Sequence, residues 1–525
     1  YYCKTSIIAG NIRFNKVVSH QQNLEEKSMK KNFVIFAALM LTAVFGTAEI
    51  AKAADVSIGG QIFTRYEVNE HGGVTGGTST NDFDNSTGAS DFVGQRTVVD
   101  VKANINEETS AFIQLQSNRQ WGSGFVGNNT SGAFDGSFNV NDSDESVGVH
   151  QAYFTLKNFA GLPVDAKVGK QEIIMDGHRI WGDTLWTMGQ NSHDAVRLTH
   201  KHGNQTYTGA YVRANESAVS TGDNPLNNND INAYLMHGNY KGILGGQLSL
   251  LYTFIQDPCG STGNNSADCT DVLAENSIHT IGLRQAGQMF GIDYRGEYYY
   301  QWGDADQDGQ NVGGGLAARD ATAGTGVDRS AYMFGVRVGK AFNNVGMKPS
   351  LTVWYDYLSG TSDNDLEGTD PTYKSFNTVF DTGHKFYGLQ DLFLGVGTGN
   401  ATNGTSGLGL QDLAVKAKIS PMPGWTVKAD YHWFTTAEGI NASPNAGLAN
   451  STANTGAGGN ELATGRTNSS SLGNELDITI VNKYNANTKV MIGFSNYQTT
   501  TAFRNLRGVV GDSANWAYLQ FDVKF

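Results

Sequence analysis

Ala514-Asn515-Trp516-Ala517-Tyr518-Leu519-Gln520-Phe521-Asp522-Val523-Lys524-Phe525 closes the chain. Ala517, Leu519, Phe521, Val523 and Phe525 alternate with Trp516, Tyr518, Gln520, Asp522 and Lys524. A period of two puts one set on each face of a β-strand, one suited to lipid and the other to water. Such a strand at an open sheet edge recruits other chains unless the sheet closes on itself. In a membrane, closure is also the only way a sheet can pair every backbone group. The same stretch read alone also describes the edge strand of a soluble sandwich.

The rest of the chain decides between the two. Alternating stretches recur near 56–68, 93–105, 109–119, 147–157, 164–173, 194–201, 206–214, 231–241, 246–256, 275–286, 289–301, 328–341, 348–358, 409–419, 424–436, 474–483, 488–498 and 514–525, eighteen in all. Every second connection is short, and those between are long and rich in Gly, Asn, Asp and Thr. A sandwich has no reason to sort its loops by end. An up-and-down antiparallel transmembrane β-barrel does, with short periplasmic turns, long extracellular loops and both termini on the periplasmic side. This all-β fold is the expectation, with 514–525 sealing against 56–68. Residues 385–396 would add a strand and break the even count, so they belong to the seventh long loop. A terminal Phe after apolar residues at alternate positions also resembles the signal by which the barrel-assembly machinery takes up bacterial outer-membrane barrels.

Composition agrees. The chain has 65 Gly, 8 Pro and a formal net charge of −13. That charge argues against nucleic acid as a partner. Met29, Lys30-Lys31, the apolar run Phe33–Phe45 and Ala51-Lys52-Ala53 have the layout of a secretory signal. Residues 29–53 are therefore expected to be cleaved, residues 1–28 to be upstream frame, and 54–525 to form the barrel of the outer membrane. Cys259 and Cys269 share one polar loop, and a local disulfide is the natural reading in an oxidising compartment.

Three segments carry a resemblance. Lys167-Val168-Gly169-Lys170-Gln171-Glu172 leads to Asp176-Gly177-His178-Arg179-Ile180-Trp181-Gly182, Trp186 and His193-Asp194-Ala195-Val196-Arg197-Leu198. Thr382-Gly383-His384-Lys385-Phe386-Tyr387-Gly388 follows, then Gly473-Asn474-Glu475-Leu476-Asp477. Together they resemble the alginate-export family of porin-like outer-membrane barrels. The resemblance implies a passive channel for hydrophilic solutes, among them anionic saccharides or polysaccharide. It also implies functional positions at Arg179, Asp194 and Arg197 in the first signature and at His384 and Lys385 in the second. The third and seventh loops, which hold these signatures, are expected to fold over or into the pore.

Alternation supplies further pore-lining residues: Arg65, Arg96, Asp100, Asp293, Arg295, Glu297, Arg337, Lys416, Lys428 and Asp430. Arg197 should join them, because Val196 and Leu198 take the opposite face. Opposite charges at this spacing can instead pair across strands. Asp304-Ala305-Asp306-Gln307-Asp308-Gly309 matches the first half of a calcium loop, but Gly315 stands where a bidentate Glu is needed. Asp304, Asp306 and Asp308 are thus at most a weak calcium site, and no other cofactor is expected. Histidines are scattered and no nucleophile elbow occurs, so an enzyme is not expected. Two other readings stay open: a plugged structural or adhesin barrel, and a barrel that sheathes a partner such as an electron carrier.

Overall fold

Strand pairing follows chain order all the way round. The computed structural model describes residues 55–70, 73–75, 78–80, 90–121, 147–215, 230–257, 276–305, 327–362, 365, 371–394, 404–405, 407–440, 469–507 and 511–525. Among them stand eighteen barrel strands: β1 (Asp55–Asn69), β2 (Ser90–Asn104), β3 (Thr109–Gln120), β4 (Gly148–Leu156), β5 (Val164–Gln171), β6 (His193–His202), β7 (Gln205–Asn215), β8 (Ile231–Ile243) and β9 (Gly246–Gln256). The second half holds β10 (Ile278–Met289), β11 (Ile292–Ala305), β12 (Val327–Ala341), β13 (Ser350–Leu358), β14 (Leu410–Ile419), β15 (Trp425–Ile440), β16 (Ser469–Lys483), β17 (Thr488–Thr499) and β18 (Ser513–Lys524). Each pairs antiparallel with its neighbours, and β18 closes on β1 from Gln61↔Lys524 to Asn69↔Trp516. Cys259, Cys269, Asp306, Asp308 and residues 1–54 lie outside the described residues.

The seam is finished by the last residue. Gly60 N donates to Phe525 O at 3.0 Å and Phe525 N to Gly60 O at 3.1 Å. Outward faces carry Ile58, Ile62, Tyr66 and Phe521, while Arg65, Glu67, Tyr518 and Gln520 are buried inside. One cross-strand row of outward rings runs Tyr211, Tyr234, Phe254, His279 and Trp302. Phe254 stacks on His279 at 4.1 Å and His279 on Trp302 at 5.2 Å, as an interfacial girdle requires.

Two turns show how the ladder reverses. Leu244-Gly245 and Phe290-Gly291 have positive φ at both positions (48° and 70°, 54° and 74°), the geometry whose twist matches flanking strands. The β10–β11 turn therefore falls three residues later than alternation suggests. Phe290 sits at its tip, 92% exposed, instead of on a strand face.

The inner face departs from a simple lipid-out, water-in rule. Val212, Ala233, Leu235 and Ile255 are apolar, face inward and are buried. They are covered by L3 (residues 172–192) and by the described residues of the connection between β13 and β14, L7 (359–362, 365, 371–394, 404–405 and 407–409), which fold into the barrel and bring Ile180, Trp181, Phe376, Phe380 and Phe393 to an apolar core there. Residues 385–394 form part of L7 and no strand.

A Cβ at Gly60 would lie 2.5 Å from both Val98 O and the Phe525 ring. Gly60→Val should force the seam apart and cost about 1–3 kcal/mol, the usual range for overpacking. The expected readout is a lower temperature for the heat-induced mobility shift of the folded barrel on gels. Gly296→Ala, where a Cβ meets nothing within 4 Å, should leave that temperature unchanged.

Candidate functional site

The two inward loops are joined to each other before they are joined to the wall. Phe380 N donates to Ile180 O at 3.1 Å, Gly182 N to Phe380 O at 2.8 Å and Thr382 N to His178 O at 3.0 Å, so L3 and L7 share a short parallel bridge. Gly182 is required there, because a Cβ would lie 2.2 Å from Thr382 Oγ1 and 2.9 Å from Thr382 N. Trp181 packs on Phe380 with centroids 4.6 Å apart. Lys385 Nζ donates to Gly177 O at 3.1 Å.

Three anchors then hold the pair to the barrel. Asp176 accepts from Ser249 Oγ at 2.6 Å and hydrogen-bonds His237 at 3.1 Å. Gln301 and Asn377 exchange two bonds, at 2.7 and 2.9 Å. Glu475 accepts the backbone N–H groups of Leu389 at 2.6 Å and Gln390 at 2.9 Å. The Glu475 signature therefore holds L7, and Gly388 (φ 84°) is needed because a Cβ would meet its carboxylate at 2.4 Å.

The first signature centres on Arg179, which is 1% exposed. Its guanidinium donates to Asp356 Oδ2 at 2.6 Å, Glu297 Oε1 at 3.2 Å and Tyr387 Oη at 2.7 Å, and lies 3.7 Å from the Phe386 ring centroid. Burial alone would lower its pKa; Asp356, then Tyr387 and Glu297, raise it well above the ordinary value. Arg179 thus fastens L3 to the wall; its place in the signature implied a pore-lining residue in contact with water, and it is not one. Around this pair of carboxylates stand Arg337, 3.4 Å from Asp356, and Arg284, 3.8 Å from Glu297. Arg295 joins them, its Cα paired with that of Arg337 and its guanidinium 5.4 Å from the Trp354 ring. Arg284 Nη1, Arg337 Nε and Arg337 Nη1 are buried with no hydrogen-bond partner. Partial burial first, and then Arg295 and Arg179, lower the pKa of the Lys385 ammonium. Cations therefore outnumber carboxylates on this wall of β10–β13.

The remaining predicted residues separate into three groups. Arg65 and Arg96 face inward but are buried: Arg65 binds Glu67 at 2.6 Å and Trp186 O at 2.9 Å, and Arg96 donates to Gln61 at 2.9 Å. Trp186 is held between Arg65 (3.7 Å) and His384 (3.9 Å, stacked), and His384 is fixed by Asp391 at 2.8 Å. A second group faces inward toward the periplasmic side: Asp100 accepts from Gln114 at 2.8 Å, Lys416 pairs with Asp430 at 3.0 Å, and Asp293 accepts from Gln288 at 2.9 Å. Arg197 is half-buried with its Cα paired to that of Lys167, and Lys428 is exposed.

Asp194 is the correction. Alternation along β6 puts it with exposed Val196 and Leu198, on the outside, where its Cα partners are Lys170 and Arg213. It therefore does not line the pore. Asp304 is the last but one residue of β11 in the ladder, its N–H donating to Ser277 O at 2.9 Å. Among the described residues no group of His, Cys, Asp and Glu could hold a metal.

Residues 54–516 match the model of a family described as alginate export. Among solved structures the chain is similar to OccAB1 of Acinetobacter baumannii, with 13% identity and a TM-score of 0.50 over 91% of this chain and 99% of that one. It is also similar to OccK11 (OpdR) of Pseudomonas aeruginosa, with 10% identity and a TM-score of 0.48 over 91% of this chain and 98% of that one. Likeness at these identities speaks to fold alone. No curated protein matches the chain.

Two outcomes test the loop anchors. Arg179→Met removes the partner of two buried carboxylates, a change that typically costs about 3–5 kcal/mol. It should expose L3 to protease in the folded barrel and raise open-channel conductance. The second concerns Asp381 in L7, whose carboxyl is pushed up to about 7 by burial, against the pull of Arg179. The packed loop therefore keeps a proton that a released loop loses. Packing is strongest at low pH and weakens as pH rises from about 4 through about 7. L7 should be more protease-sensitive at pH 8 than at pH 5, and Asp381→Asn should remove that difference.

Proposed function

Since the chain belongs to the alginate-export family and is an outer-membrane channel for solutes, we propose that it passes anionic saccharides preferentially, under control of L3 and L7. The observation that supports this is the wall formed by Arg284, Arg295 and Arg337, with Arg179 of L3 and Lys385 of L7 against it. Guanidinium groups bind carboxylates in a planar, bidentate way and hold their charge throughout the physiological range. Rings of one sign set the selectivity of a pore at close quarters. Transport follows the concentration gradient. No reaction is assigned to the chain: His178 hydrogen-bonds Asp183, His384 bonds Asp391 and His432 bonds Asp412, each as part of the packing. Cleavage of residues 29–53 as a signal and recognition of the terminal strand by the assembly machinery complete the proposal.

The apolar core around Trp181 and Phe380 favours a second reading, a barrel held shut unless L7 is released. Conductance separates the two, since a shut barrel conducts only after Arg179→Met.

In planar bilayers under a potassium chloride gradient, the wild-type channel should give a reversal potential of anion preference. Arg295→Ala should shift it toward zero, and sodium glucuronate should reduce chloride current in the wild type more than in the variant. Cation preference in the wild type would sink the proposal.

A further inference from the structure

The inner wall of β3–β6 carries a side-chain cluster that the anchors of L3 and L7 leave unused. It lies on the periplasmic side of Gln171, the residue from which L3 leaves β5. Phe112 on β3 and Tyr153 on β4 are Cα partners, and so are Gln114 and Gln151 one step nearer the extracellular end. Parity turns all four inward, because Ile113 and Phe154, which alternate with them, are exposed on the outer face. The Phe112 and Tyr153 rings have centroids 5.2 Å apart. Gln151 Nε2 donates to Gln114 Oε1 at 3.1 Å, Gln114 Nε2 donates to Asp100 Oδ1 at 2.8 Å, and Gln151 Oε1 accepts from Glu172 N at 3.2 Å. A Gln side chain has two N–H donors and two lone pairs, so each amide keeps one of each to offer.

The ring of Tyr153 has room beside it. The next positions in its row are Gly169 and Ala195, so no bulk stands between it and β6. Gly169 is required there, since its φ is 120° and a Cβ would lie 2.3 Å from Ala152 O. Lys167 Nζ rests over the ring, 3.8 Å from its centroid. Among the described residues neither Lys167 nor its Cα partner Arg197 forms a salt bridge. An ammonium on a flexible four-carbon stem is a cover that can swing aside. Charge in the patch balances: Lys102, Lys167 and Arg197 stand with Asp100, Asp165 and Glu172. Net charge therefore does not decide what fits here. What is left is an aromatic face with amides at its edge. The axial C–H groups of a pyranose ring make an apolar face, and its hydroxyls both donate and accept, as the amides do.

We propose that Tyr153, Gln114 and Gln151 form a subsite for an uncharged pyranose ring inside the barrel. The ring packs on Tyr153 once Lys167 has swung aside, and its hydroxyls meet the two amides and the freed ammonium. This goes beyond the anion preference proposed above: the wall of β10–β13 reads a carboxylate, and this wall reads the sugar ring that carries it. A channel with both parts distinguishes a saccharide from other anions of similar charge.

The test is saturation-transfer NMR of the full barrel in phosphocholine micelles, with the aromatic protons of the protein irradiated. The probe is cellotriose, and polyethylene glycol of the same mass is the control, since its ether oxygens accept but its chain carries no O–H to donate. Cellotriose has no charge, so its binding is read whatever the ion preference of the channel, and the two proposals fail separately. In the wild type the ring C–H protons of cellotriose should gain several-fold more saturation than the methylene protons of the control. Tyr153→Ala should lower the cellotriose signal several-fold, and so should Gln114→Leu with Gln151→Leu. Equal saturation of cellotriose and control in the wild type overturns the proposal, as does a cellotriose signal that Tyr153→Ala leaves unchanged. Should Tyr153→Ala fail to fold, the double glutamine variant decides, and an unchanged signal there overturns the proposal.

Discussion

Lipid offers no hydrogen bonds, so every backbone N–H and C=O that crosses the membrane must be paired within the protein. For a sheet this forces closure. The β1–β18 ladder and the two bonds between Gly60 and Phe525 meet that demand at the one place where chain order alone cannot. Much else follows from closure. An even strand number returns the terminus to the side where it began, and that sorts the connections into short turns at one end and long loops at the other. The inner face of the barrel is then a confined space, and the loops long enough to reach it compete with water to cover it.

In this chain two loops win that competition, and the wall has changed to suit them. Inward Val212, Ala233 and Leu235 would be poor contacts for water but are good ones for Trp181, Phe380 and their neighbours. The polar anchors work with this core. Arg179 carries a charge into a space nearly closed to water, a position that costs several kcal/mol unless partners answer it. Asp356, Glu297, Tyr387 and the Phe386 ring do so. Such a network contributes less to net stability than to geometry, since a loop with several apolar faces could pack against the wall in more than one register. The directional bonds of Arg179 and Glu475 leave it only one.

This explains what could be read from the residues alone. The strand count, the sealing pair and the faces of β1, β11 and β18 are local consequences of a period of two and were legible. Arg284 and Trp354 were open to the same reasoning, because Ile281 and Leu283 take the face opposite Arg284, and Leu351 and Val353 the face opposite Trp354. Asp194 was misplaced when a motif position was given weight over the parity that already set Val196 and Leu198 outside. The β10–β11 turn was misplaced because Gly287 reads as a turn residue. It is in fact a strand position where a Cβ would lie 2.7 Å from Gly246 Cα. The inward course of L3 and L7 was implied by the signatures they hold, and a second signal, the strands around Val212 and Leu235 that are apolar on both faces, points the same way. The partners of Arg179 had none, since they lie 118 and 177 residues away.

The charge of the whole chain also misleads about its interior. A formal net charge of −13 suggests a protein that repels anions. Yet screening in physiological salt limits an exposed charge to about 8 Å, so acidic residues elsewhere on the surface contribute little at the wall of β10–β13. There Arg284, Arg295 and Arg337 stand beside L3 and L7, partly withdrawn from water, where their field is screened least. Nor can all of them be answered internally, because Glu297 and Asp356 already share Arg179. On the proposed function, a solute that brings its own carboxylates supplies what the wall lacks, and a cation does not. In the proposed function, selectivity rests on the few guanidinium groups that the folded loops leave in excess, whatever the sign of the chain around them.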